Sequence, residues 1–354
     1  ERRRKTAAGF ASRKDAEAAM NKILAAIEEQ RYVIPAKISV REFLTHEWLP
    51  AIKATLRPTT YASYQMHVLC HILPALGAEL LARLRPAQIN AFYATLLENG
   101  RLQGSGSLSP ATVRRIHATL HRALRDAIRW QLIAVNPADA ADPPRGSGKQ
   151  RELPAWDAGQ LASFLSFAAE DRLFALWRLL AMTGARRGEA LGLRWDDLDL
   201  EHNTITIRRA LVTVNGTTIV SEPKTSRGRR RIALDPLSIE ALKAHAARQA
   251  DESGSPGWTE SGYIFTTKDG GALEPRWVSK QFGRLLRVAA LPRIPLHGLR
   301  HTYATLALSS GVNPRIVSGR LGHSTVALTL DIYSHVLPQA DADAAERIAA
   351  LVER

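Results

Sequence analysis

The stretch TITIRRALVTVNGTTIVS, residues 204–221, decides what kind of domain the second half of this chain builds. β-Branched and apolar residues run from Thr204 to Val212 and again from Thr217 to Ser221. Between them stands Asn215-Gly216, the dipeptide suited to a two-residue hairpin turn because both positions need positive φ. A hairpin is therefore expected, with a third strand from Arg231 to Leu234. The flanking sequence has a helical period instead: Asp157 to Ala168, Leu173 to Met182, Pro236 to Arg248, and helices from there to the end. Residues 154–354 should thus form a mainly α domain with a small antiparallel β-sheet, an α+β fold.

Outward toward the N-terminus, residues 38–140 read as a separate helical unit, with helices at Val40 to Trp48, Thr59 to Leu73 and Pro86 to Asn99. After the loop Gly104 to Ser107, Ser109 is placed to cap a fourth helix with Pro110 at its first position. Val113, Ile116, Leu120, Leu124 and Ile128 make its buried stripe, and Arg114, Arg115, Arg122, Arg125 and Arg129 fall largely off it. Such a run is either a solvated face or a surface for DNA phosphates, and the basic, all-helical setting favours DNA. Residues 141–153, rich in proline, glycine and serine, read as an interdomain linker. In front, an amphipathic helix from Ser12 to Gln30 is expected to be the last piece of a small N-terminal domain, residues 1–37, whose earlier part is missing from a chain that does not start with Met.

Lys and Arg number 48 against 34 Asp and Glu, a net charge of +14, so the surface should be drawn to polyanions. The basic residues are spread along the whole chain within periodic sequence, which favours a protein laid along nucleic acid over one that merely carries surplus arginine. Cys70 is the only cysteine, so no internal disulfide and no cysteine-based metal cluster is expected, and a reducing cytoplasm fits. No apolar signal-peptide core follows Glu1 to Lys5, and no apolar run reaches the roughly eighteen residues of a membrane span. No acidic cluster of the two-metal type and no phosphate loop ending in Gly-Lys-Ser/Thr occurs, so neither metal nor nucleotide cofactor is implied.

Reactive side chains collect in four segments of the second domain. Thr183-Gly184-Ala185-Arg186-Arg187-Gly188-Glu189 is a glycine turn between helices, where Arg186 either grips phosphate with its planar fork or pairs with Glu189. Pro223-Lys224-Thr225-Ser226-Arg227-Gly228, followed by Arg229 to Arg231, is a basic turn between strands in which a titratable lysine could deliver a proton. His297-Gly298-Leu299-Arg300-His301-Thr302 spaces His297 and Arg300 for one side of a helix. Leu321-Gly322-His323 leads on to Asp331-Ile332-Tyr333.

In this order and spacing the five parts Thr183 to Glu189, Lys224, His297 to Thr302, Leu321 to His323 and Tyr333 resemble the tyrosine site-specific recombinases, or phage integrases. The resemblance extends over residues 38–354, and the helix after Gly9-Phe10 resembles the end of that family's arm-binding domain. It implies a catalytic set of Arg186, Lys224, His297, Arg300, His323 and Tyr333: two arginines clamping phosphate, a lysine general acid, two histidines handling protons and hydrogen bonds, and a tyrosine nucleophile forming a 3′-phosphotyrosine. His301 would play a supporting part. Arg227, Arg229 and Arg230 join the helical arginines as expected DNA contacts. The implied partner is double-stranded attachment-site DNA, on which a homotetramer assembles with DNA-bending or directionality factors, in the cytoplasm of a bacterium and associated with its nucleoid. The last helix, Asp341 to Val352, either folds back on its own domain or docks on a neighbouring protomer. A type IB topoisomerase or telomere resolvase would share the chemistry, and a non-enzymatic DNA-binding regulator would share only the charge.

Overall fold

Ser12 Oγ accepts the backbone N–H of Asp15 at 3.2 Å and so opens α1 (Arg13–Glu28). The computed structural model describes residues 11–28, 37–146, 154–222, 228–323, 325–333, 349, 350 and 352. The chain divides into two compact units, Glu1–Gln150 and Arg151–Arg354. Each has an apolar core of its own.

In the first unit Ser39 and Glu42 form a capping box over α2 (Val40–Glu42), which continues through a π-helical turn, Phe43–Trp48, into α3 (Leu49–Lys53). α4 (Pro58–His67) likewise passes through a π turn, Val68–Ile72, into α5 (Leu73–Leu76). Both helices run past the ends expected from sequence, and each π turn stops just before a Leu-Pro pair, Leu49-Pro50 and Leu73-Pro74. Proline has no N–H to donate and its ring crowds the carbonyl four residues back, so the preceding turn widens to let the helix continue. α6 (Pro86–Asn99) and α7 (Pro110–Arg129) follow, with Ser109 capping α7 through the N–H of Thr112 at 3.2 Å. Val113, Ile116, Leu120 and Leu124 are buried, and Ile128 partly so. α7 also buries Asp126, off the apolar stripe, where it accepts the indole N–H of Trp48 at 2.9 Å.

The second unit begins with α8 (Ala158–Phe167), capped by Asp157, then α9 (Phe174–Thr183) and α10 (Arg187–Leu191). The strands are β1 (Leu198–Asp199), β2 (Thr204–Ile207), β3 (Ala210–Val214), β4 (Thr217–Ser221) and β5 (Arg230–Ala233). α11 (Pro236–Ser253), α12 (Pro275–Val288), α13 (Gly298–Ser309), α14 (Pro314–Leu321) and α15 (Val326–Tyr333) complete the described part. The hairpin is present: β3 pairs with β4 from Ala210↔Ser221 to Val214↔Thr217, around Asn215 at φ 49° and Gly216 at φ 83°. The expected single strand from Thr204 to Val212 is two. It breaks at Arg208-Arg209, whose side chains turn onto buried Asp197, Arg209 Nη1 at 2.5 Å and Arg208 Nε at 3.5 Å. β2 thereby belongs to a separate antiparallel sheet, β1-β2-β5, and the short β1 had no signal in the sequence.

Trp156, Phe164, Trp177 and Phe282 pack ring against ring at the centre of this unit. The backbone N–H of Trp156 donates to Thr302 Oγ1 at 2.9 Å, fastening α13 to the start of the domain. A smaller cluster, Ala304, Leu308, Val317 and Leu321, holds α13 against α14. Among the described residues no helix is long and apolar enough to cross a membrane. Residues 147–153 of the expected linker and most of the expected last helix lie outside the described residues.

Candidate active site

Two helices of the second unit end on left-handed glycines, and these two turns face each other. Gly184 (φ 63°) closes α9, and Gly322 (φ 66°) closes α14. A Cβ on Gly184 would meet Leu321 Cδ2 at 2.6 Å and Tyr303 Cδ1 at 2.7 Å, so glycine is needed for the approach as well as for the φ. Each glycine gives its carbonyl to an arginine: Arg300 Nη1 donates to Gly184 O at 2.8 Å, and Arg186 Nη2 to Gly322 O at 3.2 Å. Three of the segments picked out in sequence are thus joined by backbone carbonyls.

Arg186 is the N-cap of α10, and its Nη1 donates to Glu189 Oε1 at 2.8 Å. The two readings of this arginine do not exclude each other: its side chain is 43% exposed while Glu189 is 9% exposed. The guanidinium is held by the carboxylate through Nη1 and by the Gly322 carbonyl through Nη2, and the side chain is still partly open to solvent. Arg300, on α13, is buried at 4%. His297 caps the same helix, and its ring meets that of His301 edge to face, centroids 4.9 Å apart.

His323 is buried, and its Nδ1 shares a 2.7 Å hydrogen bond with Thr329 Oγ1 of α15. Burial, then Arg300, Arg186, Arg230 and His301, holds its pKa down at about 4. Burial, then His297 and Arg300, does the same to His301, also at about 4. His297 is exposed as a residue, yet the protein packed about its ring, with Arg300, Arg186 and Arg187 next, keeps its pKa below the ordinary value. His301 and His323 are therefore neutral at pH 7, and the lowered pKa of His297 favours its neutral form as well. Tyr333 is the last residue of α15, one turn beyond Thr329; its side chain lies outside the described residues.

Lys224 and Arg227 also lie outside the described residues. Arg229 is exposed and 3.7 Å from Glu222. Arg230, expected on the DNA side, is turned inward instead: its side chain is 7% exposed, with Nη2 donating to Glu189 Oε2 at 2.7 Å. The reason is the strand period. Arg230 is two residues before buried Ile232 on β5 and shares its face, whereas Arg229 and Arg231 point the other way. In the first unit Arg114, Arg115 and Arg125 are exposed, but Arg129 and Arg122 lie 2.9 Å and 4.0 Å from Asp126, and Arg122 also covers the ring of Tyr64.

A cleft of about 730 Å³ opens beside Arg186, lined by Arg187, Ser279, Arg293 and His297 among others. α12 borders it, and its outer face carries exposed Arg276, Lys280, Arg284 and Arg287 opposite buried Val278, Phe282 and Leu286. This second basic ridge is spaced as regularly as the arginines of α7, so its helical period is the signal by which sequence could have found it.

Residues 156–340 match the phage integrase family, and residues 41–97 match its N-terminal SAM-like domain. A XerC-like tyrosine recombinase of Caldanaerobacter subterraneus subsp. tengcongensis is 28% identical over 86% of this chain and 81% of its own length. The ICEBs1 integrase of Bacillus subtilis is 24% identical over 85% and 80%. In fold, the chain is similar to the Tn1549 transposon integrase solved with circular intermediate DNA, at TM-score 0.71 and 22% identity over 88% of this chain and 99% of that one. It is also similar to lambda integrase bound to a core site, at TM-score 0.61 and 17% identity over 84% and 95%. With its arginine turns, its histidines and its terminal tyrosine in one unit, and more than half its length matched, the chain belongs to the phage integrase family.

Proposed function

We propose that in this site-specific recombinase Tyr333 attacks a DNA phosphodiester and takes the 3′-phosphate, with Arg186 and Arg300 as the phosphate clamp. What carries the reading is the pair of opposed glycine turns that bring both arginines and neutral His323 together at the helix ending in Tyr333. Tyrosine ionises near pH 10, so forming the phenolate at neutral pH costs roughly 4 kcal/mol. Neighbouring arginine charge offsets that cost and stabilises the extra negative charge of the five-coordinate transition state. His297 and His323, uncharged, accept protons or hydrogen-bond the phosphate, and Lys224 protonates the departing 5′-oxygen. The phosphotyrosine keeps the energy of the broken bond, so attack by another 5′-hydroxyl reseals the strand without an external source.

One active site cuts one strand, so exchange between two duplexes takes four protomers on attachment-site DNA, with accessory bending or directionality factors. Residues 38–140 act as the core-type DNA-binding domain and 154–354 as the catalytic domain, with α1 belonging to an arm-binding-like domain. Arg115 and Arg125 of α7 and the outer ridge of α12 contact phosphates, and the protein works in the cytoplasm on nucleoid DNA. The experiment is incubation with short nicked duplexes tiled across the DNA flanking the coding sequence. A covalent adduct that maps to Tyr333 is the expected result; an adduct on another residue would reassign the nucleophile.

A further inference from the structure

Glu189 is a buried carboxylate with an arginine on each side, and the two arginines differ in exposure. Oε1 accepts Arg186 Nη1 at 2.8 Å and Arg230 Nη1 at 3.2 Å, while Oε2 accepts Arg230 Nη2 at 2.7 Å and the backbone N–H of Arg186 at 2.9 Å. Arg186 is 43% exposed and Arg230 only 7%. The rest of the Arg230 fork is used inside the protein: Nε donates to Arg320 O at 2.6 Å, at the end of α14, and Nη1 to Gly228 O at 3.3 Å. A Cβ on Gly322 would meet Arg230 Nη1 at 2.8 Å, so the guanidinium fills the space under the turn that leads to His323.

We propose that Arg230 is a positioning residue for strand cleavage: by compensating Glu189 from the inner side, it leaves Arg186 free to serve the scissile phosphate, and it does not itself touch DNA. The inference rests on the reading of Arg186 as a phosphate ligand. A carboxylate inside the protein attracts a cation more strongly than one in water. Left with Arg186 alone, Glu189 would claim it as counter-ion, and the pair would present no net charge to the substrate. With Arg230 in place, one carboxylate is shared by two guanidinium groups and the group keeps one net positive charge on its exposed side. Burial alone would raise the pKa of Glu189, but the hydrogen bond and charge of Arg230, then those of Arg186, outweigh it and keep the carboxyl ionised below its ordinary range. Arginine supplies this fixed charge together with a planar fork that reaches both oxygens of Glu189 and the Arg320 and Gly228 carbonyls at once.

The test is single-turnover cleavage by the full chain on the nicked duplex identified above, with either an ordinary scissile phosphate or a methylphosphonate, whose methyl group removes the negative charge. Arg230→Met is expected to bind DNA within about threefold of wild type and to cleave the phosphodiester about thirtyfold or more slowly. Relative to wild type on the same substrate, its defect should shrink to about threefold on methylphosphonate, because an uncharged centre needs less from Arg186. A purely structural Arg230 would slow both substrates alike, and that result overturns the proposal. If Arg230→Met does not fold, Glu189→Gln/Arg230→Met against Glu189→Gln decides: a further loss below about threefold supports compensation of Glu189, and a larger one refutes it. Wild-type cleavage by Arg186→Ala would instead remove the reading on which the inference stands. Wild-type cleavage by Arg230→Met, with Arg186→Ala inactive, would remove the inference alone.

Discussion

The Nη2 of Arg186 donates to the carbonyl oxygen of Gly322 at 3.2 Å, so the arginine of one helix-ending turn is seated on the backbone of the other. That carbonyl is aimed by a left-handed φ of 66°, which a side chain adopts at a cost of about 1 kcal/mol. Gly322→Ala adds this strain and pushes on Arg230 as well. The expected outcome is a loss of roughly 1–2 kcal/mol in stability, seen by thermal denaturation, with a larger proportional loss of cleavage. A variant that cleaves at the wild-type rate would show that this seat does not matter to the chemistry.

Tyr333→Phe removes one hydroxyl and no positive charge, so cleavage should fall about ten-thousandfold or more while specific DNA binding stays nearly intact. If Arg186 and Arg300 are the phosphate clamp, their alanine variants should also block the chemistry, but with weaker binding, since each would remove a phosphate ligand. Gel-shift titration beside adduct formation separates the two classes. A phosphotyrosyl adduct formed by the Phe variant is the result that rules out Tyr333.

Local pattern made some of this legible in the sequence and long-range charge pairing hid the rest. Asn215-Gly216 and the stripe of α7 are set by residues within one turn or one hairpin, and both are found where expected. The break at Arg208-Arg209 depends on Asp197, and the inward turn of Arg230 depends on Glu189, partners visible only after folding. Alternation with Ile232 was the available clue for Arg230, but three arginines in a row read as one basic turn. Arg300 and His323 stand in segments that the family resemblance singles out, whereas the carbonyls that hold Arg186 and Arg300 carry no sequence signal at all. The ridge on α12 is legible from its period alone, with Arg276, Lys280, Arg284 and Arg287 three or four residues apart.

His301 and His323 are held at about 4 by burial first and neighbouring cationic groups second, against an unfolded value near about 6.5. Above about pH 6.5 both states are neutral and the histidines add no pH dependence. As pH falls below that, the unfolded chain takes up protons that the folded chain refuses, so stability declines and the loss levels off below about pH 4. The melting temperature should therefore drop from about pH 7.5 to about pH 5.5, and His323→Gln should flatten part of the drop. A melting temperature constant over that window would mean that both histidines titrate normally.

Exposed Arg115 and Arg125 should behave differently from Arg122, although all three lie on α7. Alanine at Arg115 or Arg125 should reduce the log–log salt slope of DNA binding by roughly 0.9 each, at little cost in stability. Arg122 lies 5.4 Å over the ring of Tyr64 and 4.0 Å from buried Asp126. Its alanine variant should lose about 1 kcal/mol of stability and leave the slope nearly unchanged. A wild-type slope in the Arg115 and Arg125 variants would make the outer face of α7 an ordinary solvated surface.

Lys224 is assigned the protonation of the leaving group, and bridging sulfur tests that role directly. An alkoxide is a poor leaving group and needs its proton in the transition state, so Lys224→Ala should be severely impaired on ordinary DNA. A thiolate departs without help, thiols ionising near about pH 8.5. Sulfur in place of the bridging 5′-oxygen should therefore restore cleavage to Lys224→Ala. It should not restore Arg186→Ala, whose defect is uncompensated charge on the phosphate. If sulfur rescues neither, Lys224 is a phosphate contact and the acid lies elsewhere. Arg227 and Arg229 are excluded from that part because an arginine guanidinium does not give up its proton in the accessible pH range. His297 would then be the group to examine, but its pKa is held down by the packing about its ring and by Arg300, Arg186 and Arg187, so it carries little proton at neutral pH. Serving as the acid, it would make cleavage faster as the pH falls, whereas a lysine acid keeps the rate level until well into the alkaline range.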